Sequence, residues 1–267
     1  MKIASDPRDW QPFTFRGVAA LATGPPRRLI KVQLLAAVWM VGSFAWLLGA
    51  AWWPVIDAAA QQLPDRAVIR NQTLVWEGPI PVRLSENGFL AITVDPEGHS
   101  TRTSTSDLQL ELVRDGVRFH SLFGHVTIRY LRGYEVFLGR LEFQAWWGAW
   151  RWPMLAMVSG AAFVGLMAGW SVLAACYSAW VWLFSFYADR SATPKICRRL
   201  SAAALAPSAV LTGAAIFLYG MHRLDLVSLL FALVLQVVIG WVYLLLSPFW
   251  LPRQSGAAPG GVNPFRR

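Results

Sequence analysis

Cysteine is nearly absent: Cys176 and Cys197 are the only two in 267 residues. Neither has a neighbour at metal-ligand spacing, which argues against a disulfide framework and a thiolate metal site. The four histidines, His99, His120, His125 and His222, show no zinc spacing either. Acidic residues number 15 against 24 basic ones and are scattered, so no two stand out as a glycosidase pair. Hydrolase, metalloprotease and nucleotide-binding signatures (G-x-S-x-G, H-E-x-x-H and G-x-x-x-x-G-K-[ST]) are missing. The chain is therefore read as non-enzymatic, with no catalytic residue, cofactor or metal.

Charge is missing from four long intervals: between Lys31 and Asp57, Arg151 and Asp189, Arg199 and Arg223, and Asp225 and Arg253. Each exceeds the ~20 apolar residues that a transmembrane helix requires, and charged groups are costly inside hydrocarbon. With 55% of all positions hydrophobic, the reading is an α-helical integral membrane protein. Its four transmembrane helices are placed at residues 32–56, 152–188, 200–222 and 226–250.

The net charge of +9 would suggest a nucleic-acid partner in a soluble protein. Its distribution says otherwise. Residues 1–31, 189–199 and 252–267 carry 13 Lys and Arg against three acids, whereas residues 57–151 carry ten Arg against eleven acids. Basic flanks stay on the cytoplasmic side. This predicts an inner-membrane protein with cytoplasmic termini: a basic leader at 1–31, a cytoplasmic loop at 189–199 and a disordered tail at 251–267. Residues 57–151 and the short loop at 223–225 lie outside. The basicity reports topology and gives no sign of nucleic-acid binding.

Some thirty residues precede the first apolar run, which predicts an uncleaved anchor despite the small residues of "DAAAQQ" at 57–62. "FTFRGVAALATGPPRRLIK" in the leader suits a short amphipathic helix in the headgroup layer or an unstructured basic segment. Residues 57–151 change character. Runs such as "DLQLELVRDGVRFHSL" alternate apolar and polar side chains, with a turn expected at Asp115-Gly116. A small β-rich extracytoplasmic domain inserted between the first and second spans follows from this.

Tryptophan is concentrated at the predicted boundaries. Trp52 and Trp53 precede Pro54, expected to stop the first helix; Trp146, Trp147, Trp150 and Trp152 precede Pro153, expected to start the second. The bland reading is an interfacial girdle. The sharper one, with Trp76 as a further candidate, is a surface that stacks sugars or lipid headgroups. Ala161, Gly165 and Gly169 form a small-residue stripe expected to pack within the chain's own bundle in preference to a homodimer. Gln236 is the one amide well inside a span, suited to an interhelical hydrogen bond. No acid, base or histidine lies deep in a span, which speaks against an ion-coupled transporter.

The basic leader with Phe and Pro, "LPDRAVIRNQTLVWEG" at 63–78, "LAITVDPEG" at 90–98 and the spans gathered towards the C-terminus resemble a bacterial polytopic membrane family. Its members are often labelled maltodextrin-utilisation proteins, and it is placed near the Yip-type membrane domains. The likeness covers about residues 13–250 and rests on Leu63, Pro64, Ile69, Asn71, Leu74 and Asp95, with Gln72 where the family often has glycine. It implies an inner-membrane protein accessory to carbohydrate uptake and supplies no catalytic residue. The partners expected are the lipid bilayer and a membrane protein, with a homo-oligomer and a carbohydrate ligand as alternatives. The functional expectation is a scaffold or accessory subunit whose outer domain contacts a partner or envelope component; the alternative is a carbohydrate- or ligand-sensing accessory protein.

Overall fold

The structure, a computed structural model, describes residues 11–98 and 104–252. The first ten residues of the leader, His99 and the tail from 253 onward lie outside the described residues. Among the described ones, four helices are long and apolar enough to cross a membrane: Pro26–Gln62, Arg140–Tyr187, Pro194–Gly220 and Leu226–Trp250. They flank a β-rich region. The chain divides into two compact units, residues 1–43 with 159–267 and residues 44–158.

In the first unit, α1 (Phe15–Thr23) begins where the Thr14 hydroxyl accepts from the Gly17 N–H at 3.0 Å. A Cβ at Gly17 would collide with the Gln11 carbonyl, so only glycine permits this tight entry. Val18, Leu21 and Ala22 of α1 are buried in a core with Leu200, Ala203 and Ala204 of α5 (Pro194–Gly220) and Leu244 of α6 (Leu226–Leu246). The Tyr243 hydroxyl of α6 donates to the Phe13 carbonyl at 2.5 Å. The leader helix is thus part of the packed unit and not an isolated surface element. Its apolar stripe finds protein to cover it.

Thr193 caps α5, and Asp225 caps α6 by accepting from the Ser228 N–H at 2.8 Å. Those hydrogen bonds hold the Asp225 carboxyl below its ordinary pKa. Helix α2 (Pro26–Leu47) packs closely on α5, where a Cβ at Gly213 would lie 2.5 Å from the Trp39 indole. That indole donates to the Val210 carbonyl at 3.0 Å.

The first span does not stop at Pro54. A π-helical turn, Leu48–Trp52, shifts the hydrogen-bond register, and α3 (Trp53–Gln62) follows with Pro54 in its first turn, where a missing N–H is tolerated. Pro153 likewise does not start a helix. It lies inside α4, an unbroken helix over Arg140–Tyr187. At about 1.5 Å per residue, these 48 residues extend about 72 Å, well beyond one bilayer core of about 30 Å. The strands accordingly occupy residues 67–137, narrower than the expected 57–151, because helix continues into both ends of that interval.

Two sheets form the rest of the second unit. The smaller has the order β2-β1-β8, from β1 (Ala67–Arg70), β2 (Thr73–Trp76) and β8 (Val136–Phe137). The larger has the order β3-β4-β5-β6-β7, from β3 (Val82–Glu86), β4 (Leu90–Val94), β5 (Leu108–Val113), β6 (Gly116–Ser121) and β7 (Gly124–Arg129). Its β4–β5 pair is parallel and the others antiparallel. The expected hairpin is present, with its turn at Arg114-Asp115 and Gly116 already in β6. A side chain at Gly116 would strike the Ile128 carbonyl of β7, which sets this glycine in the strand.

In the β1–β2 turn, Asn71 and Gln72 both adopt left-handed backbone, φ 49° and 63°. Gln72 holds a place that suits glycine through its side chain: its amide donates to the Tyr130 carbonyl at 2.9 Å and accepts from Arg132 at 3.2 Å. Asn87 ties the β3–β4 turn to the π-helical turn. Its Oδ1 accepts from the Phe89 and Leu90 N–H groups, and its Nδ2 donates to the Ala51 carbonyl at 2.6 Å.

Candidate functional site

The predicted indole girdle divides into unlike parts. Trp147 is buried on α4, and its Nε1 donates to Asp57 Oδ1 of α3 at 2.7 Å. Trp53 stands edge-on to Trp147 and Trp152, with ring centroids 6.3 and 4.6 Å away. The Arg151 guanidinium lies 5.9 and 5.8 Å from the Trp53 and Trp152 ring centres, within cation–π range, and 3.8 Å from Asp57 Oδ2. Trp146, Trp150 and Trp152 remain exposed, while Trp52 packs against the domain core. Trp76 is separate, on β2: its ring covers Gly78, and its N–H goes to the Pro79 carbonyl at 3.3 Å. The sequence does not show that one indole of the seven is a hydrogen-bonded helix clamp.

Ala161, Gly165 and Gly169 lie on the exposed side of α4, and among the described residues nothing would come within 4 Å of a Cβ at either glycine. The expectation that this stripe packs within the chain's own bundle is therefore corrected. The neighbouring helices contact α4 through Trp170, Phe163, Leu166 and Met167 instead, large side chains that pack in a cluster with Ala36, Ala37 and Ala209. Gln236 fits its expected place: its amide bonds the Thr212 hydroxyl across α5 and α6. It also borders a cavity of about 170 Å³ within the bundle, alongside Met40, Trp170 and Trp241.

The five-stranded sheet has two chemically distinct faces. One carries Thr93, Gln109, Glu111, Arg118, His120 and His125. Glu111 is fully buried, and its Oε2 accepts from Arg118 Nη1 at 3.2 Å and contacts His120 Nε2 at 2.9 Å. The His125 ring follows, 5.6 Å from that of His120. Gln109 donates to the Thr93 hydroxyl at 3.2 Å. Sequence reading placed no acid beside either histidine. The signal was the hairpin register, which sets Glu111 opposite Arg118 and diagonal to His120.

The other face is apolar. Ile92, Leu110 and Leu112 look towards α3, and Val117, Phe119, Val126 and Ile128 continue the same face along β6 and β7. Between the sheet, α3 and the start of α4 is a hollow of about 240 Å³. Ile56, Ala59 and Leu63 of α3 form one wall, and Phe143, Trp146 and Trp147 of α4 another. Among the described residues, no charged side chain lines it.

Strand β7 closes nothing. All six of its residues are exposed, and Phe123 at the hairpin tip is 81% accessible. Ser121 and Gly124 flank a two-residue turn and form the hydrogen-bonded closing pair, so Val126 and Ile128 also direct their backbone groups to β6. The N–H and C=O groups of His125, Thr127 and Arg129 consequently point away from the sheet. An exposed apolar edge of this kind is a ready template for another strand.

The described residues contain no group of three or more His, Cys, Asp or Glu able to hold a metal ion. Comparison of the chain with protein-family models, curated proteins and solved structures gives no match.

Proposed function

We propose that this protein is a non-enzymatic accessory or scaffold subunit of the cell membrane. Its four long helices span the bilayer, both termini lie in the cytoplasm, and its β domain faces the outside. There the domain captures a partner protein by strand addition at β7. The open β7 edge carries this reading: six exposed residues with outward backbone groups and the apolar Val126 and Ile128. The orientation draws on the excess of Lys and Arg in residues 1–31 and 189–199. Membership of the maltodextrin-utilisation-type family would make the partner part of an uptake system.

Thr127→Pro is the test. It removes an outward N–H while leaving the bonds to β6, and proline is tolerated on a sheet edge. Gentle extraction from native membranes, capture and mass spectrometry should recover a stoichiometric partner with the parent chain and lose it with the variant. Unchanged recovery removes β7 as the contact. Orientation is tested separately with single cysteines, in a chain whose Cys176 and Cys197 are replaced by Ala. An impermeant maleimide outside should label Phe123→Cys and miss Lys195→Cys; the reverse pattern inverts the topology.

The alternative, a carbohydrate-sensing accessory protein, draws on the exposed faces of Trp146, Trp150 and Trp152. Sugar stacking on them predicts that Trp150→Leu abolishes binding of a maltodextrin probe, whereas a girdle tolerates leucine.

A further inference from the structure

The hollow beneath the sheet invites an occupant, because its walls are apolar throughout and it measures about 240 Å³. That is room for about eight groups the size of a water molecule, at about 30 Å³ each. Water finds no hydrogen-bond partner on such walls, and covering them with an apolar group is favourable. An incoming strand or helix would bring backbone N–H and C=O groups to walls that offer them no partner. A hydrocarbon chain brings none.

The surroundings identify its source. The helical walls, α3 and the start of α4, belong to the candidate spans Pro26–Gln62 and Arg140–Tyr187. Trp52, Trp53, Trp150 and Trp152 lie within two helical turns of wall residues Ile56 and Trp147 on those helices, and such indoles mark the headgroup layer. Arg151 follows Trp147 by one turn on the same side of α4. It holds Asp57 only loosely, at 3.8 Å through Nη1, and its side chain is 37% exposed. A partly exposed cation one helical turn from an apolar wall complements an anionic head on an alkyl tail.

We propose that this hollow is a lipid site that takes one acyl chain of an anionic phospholipid from the surrounding leaflet, with Arg151 receiving the phosphate. The inference rests on reading the two helices as spans. Its consequence is that the β domain, besides docking a partner, samples the lipid composition of its membrane.

The test uses the full chain in nanodiscs of phosphatidylethanolamine doped with phosphatidylglycerol bearing a photoactivatable group in one acyl chain. After irradiation, adducts are mapped by mass spectrometry. Adducts are expected on the sheet peptides that hold Ile92, Leu110 and Leu112, as well as on the spans. Ala59→Phe and, independently, Leu110→Trp fill the hollow from opposite walls. Either should cut the sheet adducts about tenfold or more, the factor that roughly two buried methylenes carry, and leave the span adducts unchanged. Arg151→Gln should lower the preference for phosphatidylglycerol over a phosphatidylcholine probe several-fold. Span adducts without sheet adducts overturn the lipid site alone, as do sheet adducts that survive both fillings. Equal labelling by the two probes in the parent chain overturns the role of Arg151. Absence of span adducts overturns the membrane reading, and the lipid site with it.

Discussion

Glu111 is the most consequential side chain of the β domain, and replacing it with glutamine isolates its charge. The carboxylate is fully buried and faces Arg118 at 3.2 Å and His120 at 2.9 Å. Glutamine keeps the volume and one acceptor oxygen but leaves the Arg118 cation without its counter-charge. Breaking a wholly buried pair costs about 3–5 kcal/mol. The Arg118 side chain is 26% exposed, so water recovers part of the loss, and about 2–3 kcal/mol is expected. At about 2–4 °C per kcal/mol for a chain of this size, the thermal midpoint should fall by about 4–12 °C. Tryptophan fluorescence of the protein in nanodiscs follows the transition. Glu111→Leu combined with Arg118→Met should recover most of the loss, because an apolar pair needs no counter-charge. A Glu111→Gln midpoint within about 2 °C of the parent would refute the reasoning, since a buried counter-ion cannot be removed so cheaply.

Gly213→Ala places a methyl group 2.5 Å from the Trp39 indole, and the α2–α5 contact should lose about 1–3 kcal/mol, measurable as a lower midpoint in the same melt. A neutral effect would mean that the indole moves aside without losing its bond to Val210. Tyr130 donates to the Val113 carbonyl at 3.1 Å, and burial, with the Asp115 charge second, holds its phenol well above the ordinary value near 10. Above pH ~10 the unfolded chain releases this proton while the folded chain keeps it, so stability falls as pH rises towards the folded value. Tyr130→Phe should flatten that alkaline fall and cost about 1 kcal/mol at neutral pH; an unchanged alkaline slope would contradict the assignment. Gln72→Gly relieves left-handed strain of about 1 kcal/mol but removes two side-chain hydrogen bonds, so its midpoint should change little, and a large loss would show that the bonds dominate.

Much of the architecture was legible because its signals are long. Intervals of more than twenty residues without charge located all four apolar helices, and a period of two located β5 and β6. Helix ends were less legible. Pro54 and Pro153 read as a stop and a start, yet both lie within continuous helix, because a π-helical turn re-registers the first and the second lies inside the long helix α4. Proline weakens a helix locally; packing along the rest of the helix decides whether it ends. The Glu111–His120 pair and the apolar hollow were hidden for another reason. Both are made by elements whose pairing must be known first, and the parallel β4–β5 step has no short-range signature. The Trp147–Asp57 bond spans ninety residues, and a cluster of indoles does not announce which one turns inward.

The burial of the four helices is unequal, and the inequality bears on partners. Most of the apolar window of Pro194–Gly220 is covered by the rest of the chain, 67%, against 6% for Arg140–Tyr187 and 11% for Leu226–Trp250. The covered helix is built from small residues, with Ala203, Ala204, Ala206 and Ala209 all buried, so neighbours approach it closely on several sides. The exposed helices carry Val, Leu, Phe and Trp outward, side chains that hydrocarbon accepts without an ordered complement. Within this contrast Ala161, Gly165 and Gly169 are anomalous: small residues on a face that none of the described residues covers. Lipid packs poorly against a furrow of glycines, whereas a second helix can enter it. Gly165→Ile therefore separates two sources of any captured complex. It should leave a β7-mediated complex intact and weaken one that forms through the helices, so losses with Thr127→Pro and with Gly165→Ile assign the contact to the domain or to the bundle.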